Sequence, residues 1–173
     1  RTMSKRIFIS GASSGIGEYL AYAYAGRGAT LGLAARREEL LNKVAEKCNE
    51  LRGTAHVFQV DAKDQLACKS AAEEFMAQAG GIDMVIANAG IGGHDDLMSG
   101  DATAINNIIE TNVIGVTNTL IPFIPAMKEQ KSGILVNVSS VASFLRIAYH
   151  GGYAGAKVNI RLMADSWRLT LTK

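Results

Sequence analysis

Tyr153 and Lys157 are the residues of this sequence whose types and spacing best suit proton chemistry. Residues four apart on a helix share a face and lie roughly 6 Å from each other. A free phenol loses its proton only near pH 10, but an ammonium about 4 Å away stabilises the phenolate by around 4 kcal/mol at an effective dielectric constant of 20. The pair therefore has two interpretations, a general acid or base that works near neutral pH and a solvent-exposed helix pair.

A glycine-rich turn is the second candidate for chemistry. Gly11, Gly15 and Gly17 follow the apolar run 7–9 and precede residues 18–25, which have a helical pattern. Glycines let the backbone turn sharply and let a ligand approach closely. The start of a helix presents free N–H groups and a positive dipole end, which together favour a phosphate. The spacing differs from G-x-G-x-x-G, and tight packing of strand on helix is the alternative interpretation.

Strands and helices alternate along the whole chain, and this alternation predicts how the two features are positioned. Near-continuously apolar strands that alternate with helices predict a doubly wound parallel α/β sheet with helices on both faces. Right-handed crossovers give the strand order 3-2-1-4-5, so the turn and residues 88–90 line one crevice where the order reverses. The predicted strands are 5–10, 29–34, 55–60, 82–87 and one within 133–139, and the predicted helices are 15–28, 37–51, 64–79, 102–128 and 152–172. The helix over 102–128 is expected to be disturbed near its end by Pro122 and Pro125.

Composition narrows the class of protein. The 173 residues are 48% hydrophobic and 20% charged with a net charge of +2, which fits one globular domain over residues 1–173 and gives no sign of nucleic-acid or membrane binding. No apolar run is long enough to span a membrane, and residues 1–6 lack the apolar core of a signal peptide. We therefore expect a cytoplasmic protein.

The cysteines and histidines do not predict a metal site. Cys48 and Cys68 stand in helical stretches without ligand partners at metal spacing, so we expect two reduced structural thiols. The loop sequence His94-Asp95-Asp96 offers adjacent residues, which make poor ligand geometry, and a polar pocket rim is expected instead. His150 precedes Tyr153 closely and is expected to be a solvated loop residue.

Several motifs together resemble the short-chain dehydrogenase/reductase family over the whole chain. They follow the family's order and approximate spacing, although Ala87 stands where the family often has asparagine. The resemblance implies a Rossmann-type domain that binds NAD(P) and transfers a hydride between the nicotinamide and a carbonyl or secondary alcohol. The matching motifs are Gly11-x-x-x-Gly15-x-Gly17, Asn88-Ala89-Gly90, Asn112, Ser140 and Tyr153-x-x-x-Lys157.

The resemblance also implies a role for each catalytic candidate. Tyr153 would be the general acid or base, and Lys157 would bind the nicotinamide ribose hydroxyls and lower the proton affinity of the phenol. Ser140 would hold the substrate oxygen, and Asn112 would anchor a water that passes protons to Lys157. Strand alternation favours Ser140 over its neighbour Ser139. Homodimers or homotetramers are implied as well.

The end of the second strand bears on the choice of cofactor. A carboxylate there would favour NAD, but this sequence has Ala35 followed by Arg36 and Arg37, which suit the 2′-phosphate of NADP. We therefore favour NADP(H) over NAD(H), with Arg36 the better candidate. For Asp61, an adenine contact implied by the family and a turn or capping role both stay open. The candidate cofactor-binding residues are Gly11, Ser13, Ser14, Gly15, Ile16, Gly17, Arg36, Arg37, Asp61, Ala62, Asn88, Ala89, Gly90, Tyr153 and Lys157.

The chain is shorter than the resemblance implies, because the family normally continues through further strands and a substrate-covering segment. We therefore expect residues 1–173 to belong to a longer polypeptide. Two other functions are compatible with the sequence. One is a non-catalytic nucleotide-binding sensor or interaction protein, and the other is an isomerase or dehydratase on the same scaffold.

Overall fold

Five parallel strands form the sheet, in the predicted order β3-β2-β1-β4-β5. The computed structural model describes residues 5–172; the remainder of the predicted domain, residues 1–4 and 173, lies outside the described residues. The order reverses between β1 and β4, as the alternation of strands and helices predicts, so the crevice at this reversal is the expected ligand site. The strands are β1 (Arg6–Ser10), β2 (Thr30–Ala35), β3 (Thr54–Gln59), β4 (Met84–Ala87) and β5 (Ile134–Asn137).

Helices cover both faces of the sheet, and the side-chain alternation of β1 separates the two cores. Ile7 and Ile9 are fully buried in the cluster that includes α1 and α2, whereas Phe8 points to the opposite cluster with Phe75 and Phe123. This double burial is why the strands are apolar at nearly every position. The helices are α1 (Gly15–Ala25), α2 (Glu38–Glu50), α3 (Gln65–Ala79), α4 (Thr103–Ile109), α5 (Gly115–Leu120), α6 (Ile124–Gln130) and α7 (Gly151–Leu171).

The helix predicted over residues 102–128 is interrupted near Pro122, as expected, and also around Asn112, which was not expected. A π-helical turn over Glu110–Ile114 separates α4 from α5, and a 3₁₀ turn over Ile121–Phe123 separates α5 from α6. Within the π-helical turn, the Asn112 side chain donates to the carbonyl of Ile108, which the Asn112 N–H would use in a regular α-helix. Pro122 lies in the 3₁₀ turn, where its missing N–H cannot continue the helical ladder.

Helix ends are partly as predicted. Asp64 caps α3 by accepting a hydrogen bond from the Ala67 N–H at 2.9 Å, and Gly80 ends the helix at φ 72°. At the end of α2 the sequence favours Gly53 as the terminating glycine, but the left-handed conformation falls on Arg52 at φ 82°. A Cβ on Gly53 would lie 2.8 Å from the Cβ of Ala25, so this glycine serves the close packing of α1 instead.

Candidate active site

The crevice between β1 and β4 is held by a small network of hydrogen bonds that the sequence did not predict. The Ser10 hydroxyl, at the end of β1, accepts from the backbone N–H groups of Asn88 and Ala89 at 3.1 and 3.2 Å. The Asn88 side chain donates in turn to the Gly11 carbonyl at 3.1 Å. Asn88 therefore braces the glycine turn. A serine as the last strand residue is the only sequence signal for this contact.

The three turn glycines have different structural roles. A Cβ on Gly17 would overlap the Gly11 carbonyl oxygen and lie 2.6 Å from Asn88 Nδ2, and a Cβ on Gly11 would lie 2.7 Å from Ala89 Cα. Both positions serve close packing. Gly15 adopts φ +59° with open space around its Cβ direction. Ser14 precedes α1 without a side-chain capping bond, so no capping side chain occupies the N–H groups at the start of this helix.

A cleft of about 410 Å³ extends from this turn along the ends of β2 and β3. Many of the predicted cofactor residues line it: Gly11, Ser13, Ser14, Arg36, Arg37, Asp61, Ala62, Asn88, Ala89 and Gly90. The predicted residues Gly15, Ile16, Gly17, Tyr153 and Lys157 are not among the residues that line it. Lining residues that sequence reasoning missed are mostly apolar, and they include Phe8, Ala34, Val60, Cys68, Ala71, Ile91, Thr111 and Thr119.

The two arginines after β2 are placed differently. The Arg37 guanidinium reaches across the cleft to the turn, where its Nη2 donates to the hydroxyls of Ser14 and Ser13 at 2.8 and 3.3 Å. Within the described part of the chain, the Arg36 guanidinium makes no hydrogen bond or ion pair. Asp61 has the turn role that was one of its two predicted roles, because its carboxylate accepts a hydrogen bond from the Lys63 N–H at 3.0 Å. Asp61 also lines the cleft.

Tyr153 and Lys157 lie together in the first two turns of α7. Lys157 is only 4% exposed, its Nζ lies 5.6 Å from the centre of the Tyr153 ring, and it donates to the Val138 carbonyl at 3.0 Å. Burial lowers the pKa of the Lys157 ammonium below its ordinary value. Among residues 5–172 the Tyr153 hydroxyl has no hydrogen-bond partner, so it can donate to a bound molecule.

Asn112 provides an unpartnered acceptor beside the lysine. The side chain is fully buried, and its Nδ2 donates to the carbonyls of Ile91 and Ile108 at 2.7 and 2.8 Å. Its Oδ1 is buried with no hydrogen-bond partner among the described residues. A Cβ on Gly90 would lie 2.6 Å from this oxygen and 3.4 Å from Lys157 Nζ, so both polar atoms adjoin the same glycine.

The two serines after β5 make different contacts. Ser139 Oγ donates to the Lys157 carbonyl at 3.1 Å, which ties the strand end to α7. Ser140 Oγ accepts from the Ala142 N–H at 3.2 Å and begins a 3₁₀ turn over Val141–Phe144. Ser143 is 6% exposed, and its hydroxyl has no partner within residues 5–172.

The burial of Lys157 predicts a pH dependence of stability. The pKa of Lys157 in the folded protein lies below its ordinary value of 10.5. At a pH between the folded-state pKa and 10.5, the unfolded chain therefore binds more protons at Lys157 than the folded protein does. Lys157 therefore makes the free energy of unfolding rise with pH across that window. We expect Lys157→Met to remove this rise, and urea denaturation of both proteins at about pH 8 and about pH 10 would measure it.

The comparison with the variant isolates Lys157 from groups that act in the opposite direction. Burial raises the pKa of the Cys48 and Cys68 thiols to about 11, so their contribution to stability falls with pH. Both thiols are present in wild type and variant, and their effects cancel in the difference. A difference in unfolding free energy that does not change with pH would contradict the prediction.

No helix within residues 5–172 is long and apolar enough to cross a membrane. No group of three or more His, Cys, Asp or Glu side chains in that range is arranged to hold a metal ion.

The sheet order, the glycine turn at its reversal point and the crevice beside it define a Rossmann-type fold. The family model for short chain dehydrogenases matches residues 5–173, and the chain belongs to the short-chain dehydrogenase/reductase family. An uncharacterised oxidoreductase from Myxococcus xanthus is 35% identical over 163 residues, which cover 94% of this chain and 64% of that protein. A hydroxysteroid 11-beta-dehydrogenase 1-like protein from Xenopus tropicalis is 34% identical over 171 residues, which cover 96% of this chain and 58% of that protein.

Solved structures agree with the fold. A metagenomic short-chain oxidoreductase in complex with NADP superposes with a TM-score of 0.93 at 27% identity, covering 99% of this chain and 79% of that one. An alcohol dehydrogenase from the archaeon Thermococcus sibiricus, complexed with 5-hydroxy-NADP, superposes with a TM-score of 0.89 at 29% identity. The match covers 98% of this chain and 72% of that one. The chain spans about half to two thirds of the length of the curated relatives it matches.

Proposed function

We propose that this chain is the cofactor-binding and catalytic part of an oxidoreductase that transfers a hydride between NADP(H) and a carbonyl or secondary alcohol. The observation that carries the proposal is the meeting of Lys157 and Asn112 at Gly90, just after β4, with the Tyr153 ring centre 5.6 Å from Lys157 Nζ. A buried ammonium, an unpartnered amide oxygen and an unpaired phenol suit proton transfer to a substrate oxygen. Family membership supports the same reaction class.

The residues present fit a nicotinamide dinucleotide. The open first turn of α1 and Gly15 would hold the pyrophosphate, and Lys157 would donate to ribose hydroxyls. When bound, the nicotinamide supplies or accepts the hydride. The unpartnered Asn112 Oδ1 and the nearby Lys157 Nζ offer an acceptor and a donor on either side of one water position.

Proton transfer in this proposal runs through Tyr153. In the reduction direction the phenol O–H would give its proton to the substrate oxygen while Ser140 donates a hydrogen bond to the same oxygen. The Lys157 ammonium stabilises the phenolate, because a cation that is only 4% exposed acts through a medium less polarisable than water. Lys157 would then return a proton to the phenolate, and a water bound to Asn112 would replace that proton on Lys157 from solvent.

Arg36 and Arg37 support NADP(H) over NAD(H), but their placement predicts different effects. Arg36 has a free guanidinium on the cleft, so Arg36→Ala is expected to weaken NADPH binding about 10-fold or more and leave NADH binding nearly unchanged. Arg37 donates to Ser13 and Ser14 of the turn, so Arg37→Ala is expected to weaken the binding of both NADPH and NADH. Fluorescence titration of each variant with NADPH and NADH would measure the four affinities.

The control for these variants is Arg27→Ala, an arginine beyond the end of α1 that does not line the cleft. It is expected to bind both cofactors as wild type does. Equal losses of NADPH and NADH affinity in Arg36→Ala would contradict the proposed phosphate contact. A wild-type protein that prefers NADH would contradict the cofactor assignment itself.

We also propose that the protein forms homo-oligomers, with an interface built from the helices α4 to α7. Of the apolar residues there, Ile108 is 3% exposed and belongs to the core, whereas Ile109 and Leu162 are 41% and 57% exposed. Exposed apolar side chains on helices are candidates for burial in a two-fold contact. Light scattering of the protein would give its mass in solution, and a monomer would contradict this part.

Oxidation of NADPH in the presence of a panel of aldehydes and ketones tests the reaction. We expect consumption of NADPH that depends on the carbonyl compound and yields the corresponding alcohol. Tight binding of NADPH without turnover of any substrate, in either direction, would favour a nucleotide-binding sensor or interaction protein instead.

A further inference from the structure

A buried carboxylate joins the loop after β4 to the start of α7. Asp95 is 5% exposed, and its Oδ2 and Oδ1 accept from the Gly152 N–H at 3.0 and 3.3 Å. Its own backbone N–H donates to the Tyr149 carbonyl at 2.6 Å. His150, the residue that precedes the helix, makes no side-chain capping bond. The cap of α7 therefore comes from a residue 57 positions away in the chain.

The glycine pair at the start of α7 fits around this carboxylate. A Cβ on Gly151 would lie 3.1 Å from Asp95 Oδ2, and a Cβ on Gly152 would lie 3.0 Å from Asp95 Oδ1 and 3.2 Å from Ile105 Cγ2. Glycine costs about 1 kcal/mol of helix propensity relative to alanine. Two glycines in the first turn are consistent with a close approach of the carboxylate that larger residues would obstruct.

The backbone before α7 is held in an unfavourable conformation by the same loop. Tyr149 has φ +61°, a left-handed value that is rare for an aromatic residue. Its ring stacks on His94 with centroids 4.6 Å apart and planes 15° from parallel, and His150 Nδ1 lies 2.8 Å from the Gly93 carbonyl oxygen. Such a conformation persists where surrounding contacts fix it. His150 is therefore not the solvated loop residue expected from the sequence.

Tyr153 directly follows this anchored segment, in the first turn of α7. The point at which the helix starts sets where the phenol lies relative to the crevice. We propose that Asp95 is a positioning residue for Tyr153: its buried carboxylate fixes the N-terminus of α7 and thereby the catalytic phenol. This inference rests on the proposed function, and it assigns to the loop after β4 a role beyond forming the pocket rim.

The test compares variants of the neighbouring residues Asp95 and Asp96, made in the full chain. Their activity is measured as NADPH-dependent reduction of a carbonyl compound. Misplacement of a catalytic group by about 1 Å costs around 100-fold, so Asp95→Ala is expected to lower kcat by about 10- to 100-fold. The KM for NADPH is expected to stay within about twofold, because other elements form the cleft. Asp95→Asn keeps an acceptor oxygen for Gly152 and is expected to recover most of kcat. The control is Asp96→Ala, because Asp96 is exposed and its side chain makes no hydrogen bond among residues 5–172.

Hydrogen exchange of the amides of residues 150–155 provides a readout that does not require turnover. Exchange there is expected to be faster in Asp95→Ala than in wild type and unchanged in Asp96→Ala. If wild type reduces no carbonyl compound, the proposed function fails while exchange still tests the anchor. Equal exchange in both alanine variants would overturn the anchor, and a wild-type kcat in Asp95→Ala would overturn its positioning role.

Gly152→Ala provides a second perturbation if Asp95→Ala does not fold. Its added methyl group would lie 3.0 Å from Asp95 Oδ1 and 3.2 Å from Ile105 Cγ2, so the carboxylate or the start of the helix would have to shift slightly. We expect a loss of kcat in the same direction but smaller than that of Asp95→Ala. The matched control is Gly155→Ala on the same helix, where a Cβ meets no atom within 4 Å. Wild-type kcat in Gly152→Ala would overturn the proposal.

Discussion

Tyr153→Phe is expected to lower kcat for NADPH-dependent carbonyl reduction by about 100- to 10,000-fold, the usual contribution of a positioned general acid or base. NADPH affinity is expected to stay within about twofold of wild type. Phenylalanine keeps the ring beside Lys157 Nζ, 5.6 Å from its centre, and removes only the hydroxyl. Steady-state kinetics together with fluorescence titration of NADPH would separate the two effects.

The matched control for this change is Tyr19→Phe, a tyrosine on α1 that is 72% exposed and whose hydroxyl makes no hydrogen bond within the described residues. It is expected to behave as wild type. Full turnover in Tyr153→Phe would contradict the assignment of Tyr153 as the acid or base. A joint loss of turnover and NADPH binding would show that the ring hydroxyl acts on the cofactor instead.

Gly17→Val is expected to lower the free energy of unfolding by about 3 kcal/mol or more and to abolish NADPH binding. A side chain at this position would overlap the Gly11 carbonyl and approach Asn88 Nδ2, which already donates to that carbonyl. The obstructing atoms belong to the backbone of the turn, so relief requires the turn itself to move. Chemical denaturation would measure the stability, and NADPH titration would measure binding.

Gly155→Val is the control for a valine in place of a helical glycine. The site meets no atom within 4 Å, and valine has a better helix propensity than glycine, so stability is expected to be unchanged or slightly higher. Wild-type stability in Gly17→Val would contradict the close-packing role of this glycine. A loss of NADPH binding at unchanged stability would place Gly17 in contact with the cofactor instead.

The strand order and the main elements were predictable because they depend on local patterns and on few topological choices. Apolar strands of about five residues alternate with helices, and right-handed crossovers then leave one order for the sheet. The crevice follows from that order. The meeting of the turn after β1 with residues 88–90 could therefore be predicted without knowing a single side-chain contact.

Breaks within helices were less predictable. In the sequence of residues 102–128 the two prolines alone predict a disturbance, but a π-helical turn also forms over Glu110–Ile114, where the Asn112 side chain donates to the Ile108 carbonyl. Propensity and periodicity describe neighbours along the chain. They do not report that Asn112 also reaches the Ile91 carbonyl, on a loop 21 residues earlier.

The sequence by itself determined the α/β class, the strand order, the glycine turn after β1 and the helical pairing of Tyr153 with Lys157. Only the tertiary structure decided which turn glycines serve close packing and which one has open space at its Cβ position, and that Arg37 rather than Arg36 contacts the turn serines. It alone placed Asp95 at the start of α7. The reason is physical: elements form from patterns of nearby residues, whereas most of these contacts join residues more than 20 positions apart, whose approach depends on how the completed elements pack.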